Sequence, residues 1–73
     1  MKVTIESTEK IVTLNGIQAR IWEGFTESGI KCHAYVPLVA VDEGQDERQF
    51  EKELKKVRKP SAGVEAIPFQ LIL

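Results

Sequence analysis

The sequence predicts an α+β domain. The expected architecture is a four- to five-stranded, mostly antiparallel sheet with one helix packed on one face, in the order β-β-β-β-α-β. Three observations carry this. Asn15-Gly16 lies between two β-rich runs, and a type I′ hairpin turn needs the positive φ that Asn and Gly tolerate. Apolar and polar residues alternate from Lys2 to Ser7 and on both sides of that turn. Between Asp46 and Arg58 the period changes: Phe50, Leu54 and Val57 fall at i, i+4 and i+7, one narrow helical stripe.

The first run, Lys2 to Ser7, reads as a half-buried strand with Val3 and Ile5 inward. Ser7-Thr8-Glu9 is either a bend or a continuation into Ile11. The two-residue loop Asn15-Gly16 fixes the next register. Leu14 faces Ile17, Val12 faces Ala19 and Lys10 faces Ile21 on the core side. Thr13-Gln18, Ile11-Arg20 and Glu9-Trp22 lie on the other. Strand three runs from Ile17 to Phe25 and ends at Thr26-Glu27-Ser28-Gly29. Strand four runs from Ile30 to about Val36, where Pro37 lacks the N–H that a ladder needs. Leu38 to Val41 continues extended, over or beside the core.

Asp46 is a good N-cap, with Gln49 in the capping-box relation, and a helix is expected over residues 47–58. Acids gather at its start and bases at its end, an order the helix dipole favours by roughly 0.3–1 kcal/mol per charge. Lys59-Pro60 stops it. In the tail, Ile67, Phe69, Leu71 and Leu73 share one strand face. Phe69 to Leu73 is too hydrophobic to fray, so it either completes the sheet or pairs with another copy.

Residues 1–73 suffice for a single small α+β domain. Hydrophobic residues make up 42% and charged residues 29%, a globular composition, and the net charge of −1 supplies no field to draw in an anionic polymer or membrane surface. The apolar run Ala34 to Val41 is far shorter than the roughly 20 residues of a membrane span. The single cysteine, Cys32, has no internal disulfide partner, which suits a reducing cytoplasm.

The second turn yields the candidate site. If Phe25 pairs with Ile30 across a four-residue loop, Trp22 faces His33 and Arg20 faces Tyr35. Arg20, Trp22, His33 and Tyr35 then share the face opposite the core, with Ile11 beside Arg20. Trp, Tyr and Arg are the side chains enriched at binding hot spots. The competing reading is that cross-strand aromatics merely stabilise the sheet, or that the helix covers them.

Catalytic constellations are absent from the pattern. Cys32 and His33 are neighbours on a strand and point to opposite faces, so they cannot share a metal or act as nucleophile and base. No second His or Cys exists to complete a zinc site, and no cofactor motif is present. The cluster Lys52, Lys55, Lys56, Arg58, Lys59 is diluted by Glu51 and Glu53 and reads as a solvated helix end, which argues against direct nucleic-acid binding.

Lys2-Val-Thr-Ile-Glu-Ser7, Ile11 through Gly24, and the closing Ile67-Pro-Phe-Gln-Leu-Ile-Leu73 together resemble the small accessory proteins of tailed phages and prophages. That resemblance implies a cytoplasmic protein of an infected or lysogenic bacterium that acts by occluding a host protein or nucleoprotein complex, defence systems included. It attaches no catalytic motif to any residue here. The expected function is therefore non-enzymatic binding through Ile11, Arg20, Trp22, His33 and Tyr35. The alternatives are an oligomeric binder of a small anionic molecule such as a nucleotide signal, or a minor virion or assembly protein. A homodimer through an edge strand is compatible with each.

Overall fold

In the computed structural model, which describes residues 1–73, four strands form one mixed sheet. Strand β1 is Val3–Leu14, β2 is Ile17–Thr26, β3 is Lys31–Val36 and β4 is Gln70–Leu71; helix α1 is Glu47–Leu54 and α2 is Ala62–Glu65. The order across the sheet is β3-β2-β1-β4. The β1–β2 and β2–β3 pairs are antiparallel, and β4 runs parallel to β1. The α+β class is as the pattern predicts.

The turn that organises the sheet has φ of 49° at Asn15 and 82° at Gly16, as type I′ geometry requires. Leu14-Ile17, Thr13-Gln18, Val12-Ala19 and Ile11-Arg20 pair as that turn dictates. Further on, Ser7 rather than Glu9 faces Trp22, because β1 carries a bulge between Ser7 and Ile11. The two expected N-terminal strands are thus one bulged strand. Three residues of β1 oppose the single residue Ile21, so two are extra and the alternation of sides survives. Thr8 and Lys10 both turn inward and are buried. The Thr8 hydroxyl donates to the Ile21 carbonyl (2.7 Å) and accepts from the Lys10 N–H (3.2 Å), so the bulge is internally satisfied.

The hydrophobic centre is Val12, Ile21 and Val64, with Tyr35, Ile67 and Leu71 packed against it. The cover on the core face is therefore α2 and the tail, not α1. Helix α1 buries no residue and is shorter than the expected 47–58, with its C-cap at Lys55. The last turn is given up because Arg58 has better partners on the sheet. Its N–H donates to the Ser7 carbonyl (3.1 Å) and its carbonyl accepts from the Glu9 N–H (2.9 Å), in a parallel bridge to the bulge. Leu54 consequently faces the other side of the sheet, beside Ile11 and Trp22.

Two polar side chains fasten the C-terminal segment to the core face. Lys10 Nζ donates to the Glu65 carbonyl at the end of α2 (2.9 Å) and lies 3.9 Å from the centre of the Phe69 ring. Glu23, only 7% exposed, accepts from Arg58 Nη1 (2.7 Å), from the Ser61 N–H (2.8 Å) and from the Ser61 hydroxyl (2.8 Å). Ser61 is also the N-cap of α2, its Oγ accepting from the Val64 N–H (3.4 Å). Burial alone would push the Glu23 carboxyl up. The hydrogen bonds from Ser61 and Arg58, with the Arg58 charge, outweigh that and hold it below its ordinary value. No helix is long and apolar enough to cross a membrane.

Candidate functional site

The β2–β3 turn decides which rings meet. The Thr26 carbonyl accepts from the Gly29 N–H (3.0 Å), a type I turn, and the Thr26 N–H donates to the Ile30 carbonyl (2.9 Å). Gly29 has φ of 87°. A type I turn followed by a left-handed glycine is the three-residue hairpin loop with a bulge, one residue away from the expected four. The register is accordingly Phe25-Lys31, Glu23-His33, Trp22-Ala34, Ile21-Tyr35 and Arg20-Val36.

This slip divides the expected five-residue face. Ile11, Arg20 and Trp22 stay together on the side away from the core. His33 and Tyr35 move to the core side, opposite Glu23 and Ile21. There the two rings form an edge-on pair (centroids 5.3 Å apart, planes at 80°) with 3.1 Å between His33 Nε2 and Tyr35 Oη. Tyr35 also packs on the core cluster. Their position is explained by sheet packing, and the single face of Arg20, Trp22, His33 and Tyr35 expected from the sequence does not form.

The three residues that stay together line the floor of a groove of about 350 Å³. One wall is the extended segment after β3, from Val36 to Val39, and Leu54 of α1 stands on the other side. Trp22 fits because both its neighbours, Ser7 and Ala34, are small. Ile11, Leu38 and Leu54 are left exposed, Leu38 by 78%. Seven of the 11 lining residues are hydrophobic, and Arg20 is the one charged residue among them. Arg20 Nη1 donates to the Thr8 carbonyl (2.7 Å), which anchors the guanidinium to the bulge. Both ion pairs of the chain belong to Arg58, so Arg20 has no acidic partner.

The arrangement can hold an apolar segment against Trp22 and present a cation to a carboxylate or phosphate. It offers no nucleophile with a base. Cys32 and His33 lie on opposite faces, as their adjacency on a strand requires. Leu38 and Leu54 were missed as groove residues by sequence reasoning; the apolar run Leu38 to Val41, expected over or beside the core, was the available signal. No family model, curated protein or solved structure matches this chain.

Proposed function

We propose that this protein is a non-enzymatic binding protein whose groove over Ile11, Arg20 and Trp22 receives an apolar segment of another protein, with an Asp or Glu of that segment reaching Arg20. A phage- or prophage-encoded inhibitor that occludes a host protein, defence-system components included, is the setting the sequence resemblance implies. The observation that supports the reading is a lone guanidinium, without an acidic partner, in a mostly hydrophobic groove. A cation held in apolar surroundings gains most when a partner brings the opposite charge and excludes water. A stacked nucleotide is less favoured, because Trp22 is the only aromatic ring among the groove-lining residues.

Leu38→Asp and Ile11→Asp are expected to abolish capture of the partner from bacterial lysate, and Phe25→Ser, at the far end of the sheet, to retain it. With the purified partner, each groove variant should raise Kd at least about 30-fold, the loss of a hot-spot contact of about 2 kcal/mol. Trp22 is the only tryptophan, so its emission reads groove occupancy directly. Capture that survives both groove substitutions would refute the assignment.

A further inference from the structure

The chain exposes more surface than its mass explains. Its accessible area is 5932 Å², whereas a folded monomer of this size exposes about 4,500 Å². Its radius of gyration is 13.3 Å, against about 11 Å for a compact chain of this length. The excess, about 1,400 Å², exceeds the roughly 800 Å² that each partner contributes to a standard interface.

The sheet has three open edges, and they are not alike. The free stretch of β1, Val3 to Glu6, follows Lys2 and carries Glu6, and β3 begins with Lys31 and is followed by Pro37. Charges and proline at an edge discourage further pairing. The β4 edge has no such guard beyond Pro68. From Ala66 to Leu73 there is no charged residue, and Phe69, Ile72 and Leu73 are 67%, 92% and 87% exposed. The segment is nevertheless held in place. The Thr13 and Asn15 N–H groups donate to the Phe69 and Leu71 carbonyls (2.7 and 2.9 Å), and the Leu73 N–H donates to Asn15 Oδ1 (2.8 Å). Since Phe69 and Leu71 face β1, the backbone groups of Gln70 and Ile72 face outward.

From this we infer that two copies of the chain pair antiparallel through β4, about a twofold axis at Leu71. Gln70 of each copy then exchanges backbone hydrogen bonds with Ile72 of the other, and no like charges meet across the axis. The exposed Phe69, Ile72 and Leu73 of both copies, with Ile17 at the same end of the sheet, become mutually covered. The result is one continuous eight-stranded sheet, and the groove stays free on each copy.

Sedimentation velocity and light scattering over a concentration series test this on the full chain. The expected species has twice the 8.2 kDa chain mass. Ile72→Lys sets two ammonium groups across the axis and Gln70→Pro removes an outward N–H; each should leave only monomer with an unchanged far-UV spectrum, since both positions are exposed. In the unmodified chain, exchange of the Gln70 and Ile72 amides should slow as concentration rises. Leu38→Asp should leave the dimer intact, so failure here and failure of the groove reading are told apart. A monomer at every concentration, a dimer that survives Ile72→Lys, or one lost with Leu38→Asp overturns the inference.

Discussion

Glu23→Ala is expected to cost about 2–4 kcal/mol of stability, measured by urea unfolding. The carboxylate is nearly inaccessible and accepts three hydrogen bonds, from Arg58 and from both donors of Ser61. Truncation leaves the Ser61 N–H without its partner and frees the segment that carries α2. Breaking a fully buried pair costs about 3–5 kcal/mol. The Arg58 side chain is 40% exposed and regains water, so the figure here is lower. For a chain this short the whole folding free energy is only about 4–11 kcal/mol, so the midpoint should fall by on the order of 10 °C. Glu23→Gln keeps the shape and one acceptor and should cost less. A cost under about 0.5 kcal/mol for Glu23→Ala would mean that this network does not hold α2 to the sheet.

The same group sets an acid limit. Its folded pKa lies below the ordinary value of 4.5. The folded state therefore holds its proton less tightly than the unfolded chain does. The stability it supplies is complete above the ordinary value and is lost as pH falls through the lower, folded one. Unfolding followed between neutral pH and about pH 3 should show that loss in the parent chain and a shallower slope in Glu23→Gln.

Gly24→Ala is the second large effect, about 3 kcal/mol destabilising and the upper end of what overpacking costs. Gly24 lies between Ile5 of β1 and Cys32 of β3. A methyl group there would overlap the Thr4 carbonyl oxygen and stand 2.9 Å from Ile5 Cα. Both are backbone atoms that cannot step aside by changing rotamer, so the strands must part. Gly63, in α2, has nothing within 4 Å of the same added atom. Gly63→Ala should therefore be neutral or stabilising by up to about 1 kcal/mol. Thermal melts of the two variants should move in opposite directions, and a Gly24→Ala melt equal to the parent would show that β1 and β2 are not in this close contact.

What could be read from the residues depended on how local the deciding chemistry was. Asn15-Gly16 fixes both φ signs and the loop length within two residues, so four pairs of the first hairpin followed from it. Thr26 to Gly29 is equally local, but its outcome turns on whether Gly29 lies inside the loop or acts as a left-handed bulge, and one residue moved His33 and Tyr35 across the sheet. The β1 bulge had no such signature, since Ser7-Thr8-Glu9 suits a bend or a strand. The stripe on α1 declared an apolar face without saying which side of the sheet it would cover, and Ile11 and Trp22 make the side away from the core apolar too. The burial of Glu23 was illegible because its partners lie 35 and 38 residues further on. Helix α2 has four residues, too few to show a period.

Arg58 occupies the place on β1 where an added strand would dock, bonding both Ser7 and Glu9. It acts as a plug made from the chain's own backbone. The rim is thereby divided into two short stretches, Val3 to Glu6 on one side of the plug and β4 on the other. An incoming strand could therefore not run the length of β1: it would meet the chain's own backbone at Ser7 and Glu9, the interruption by which an edge resists extended pairing.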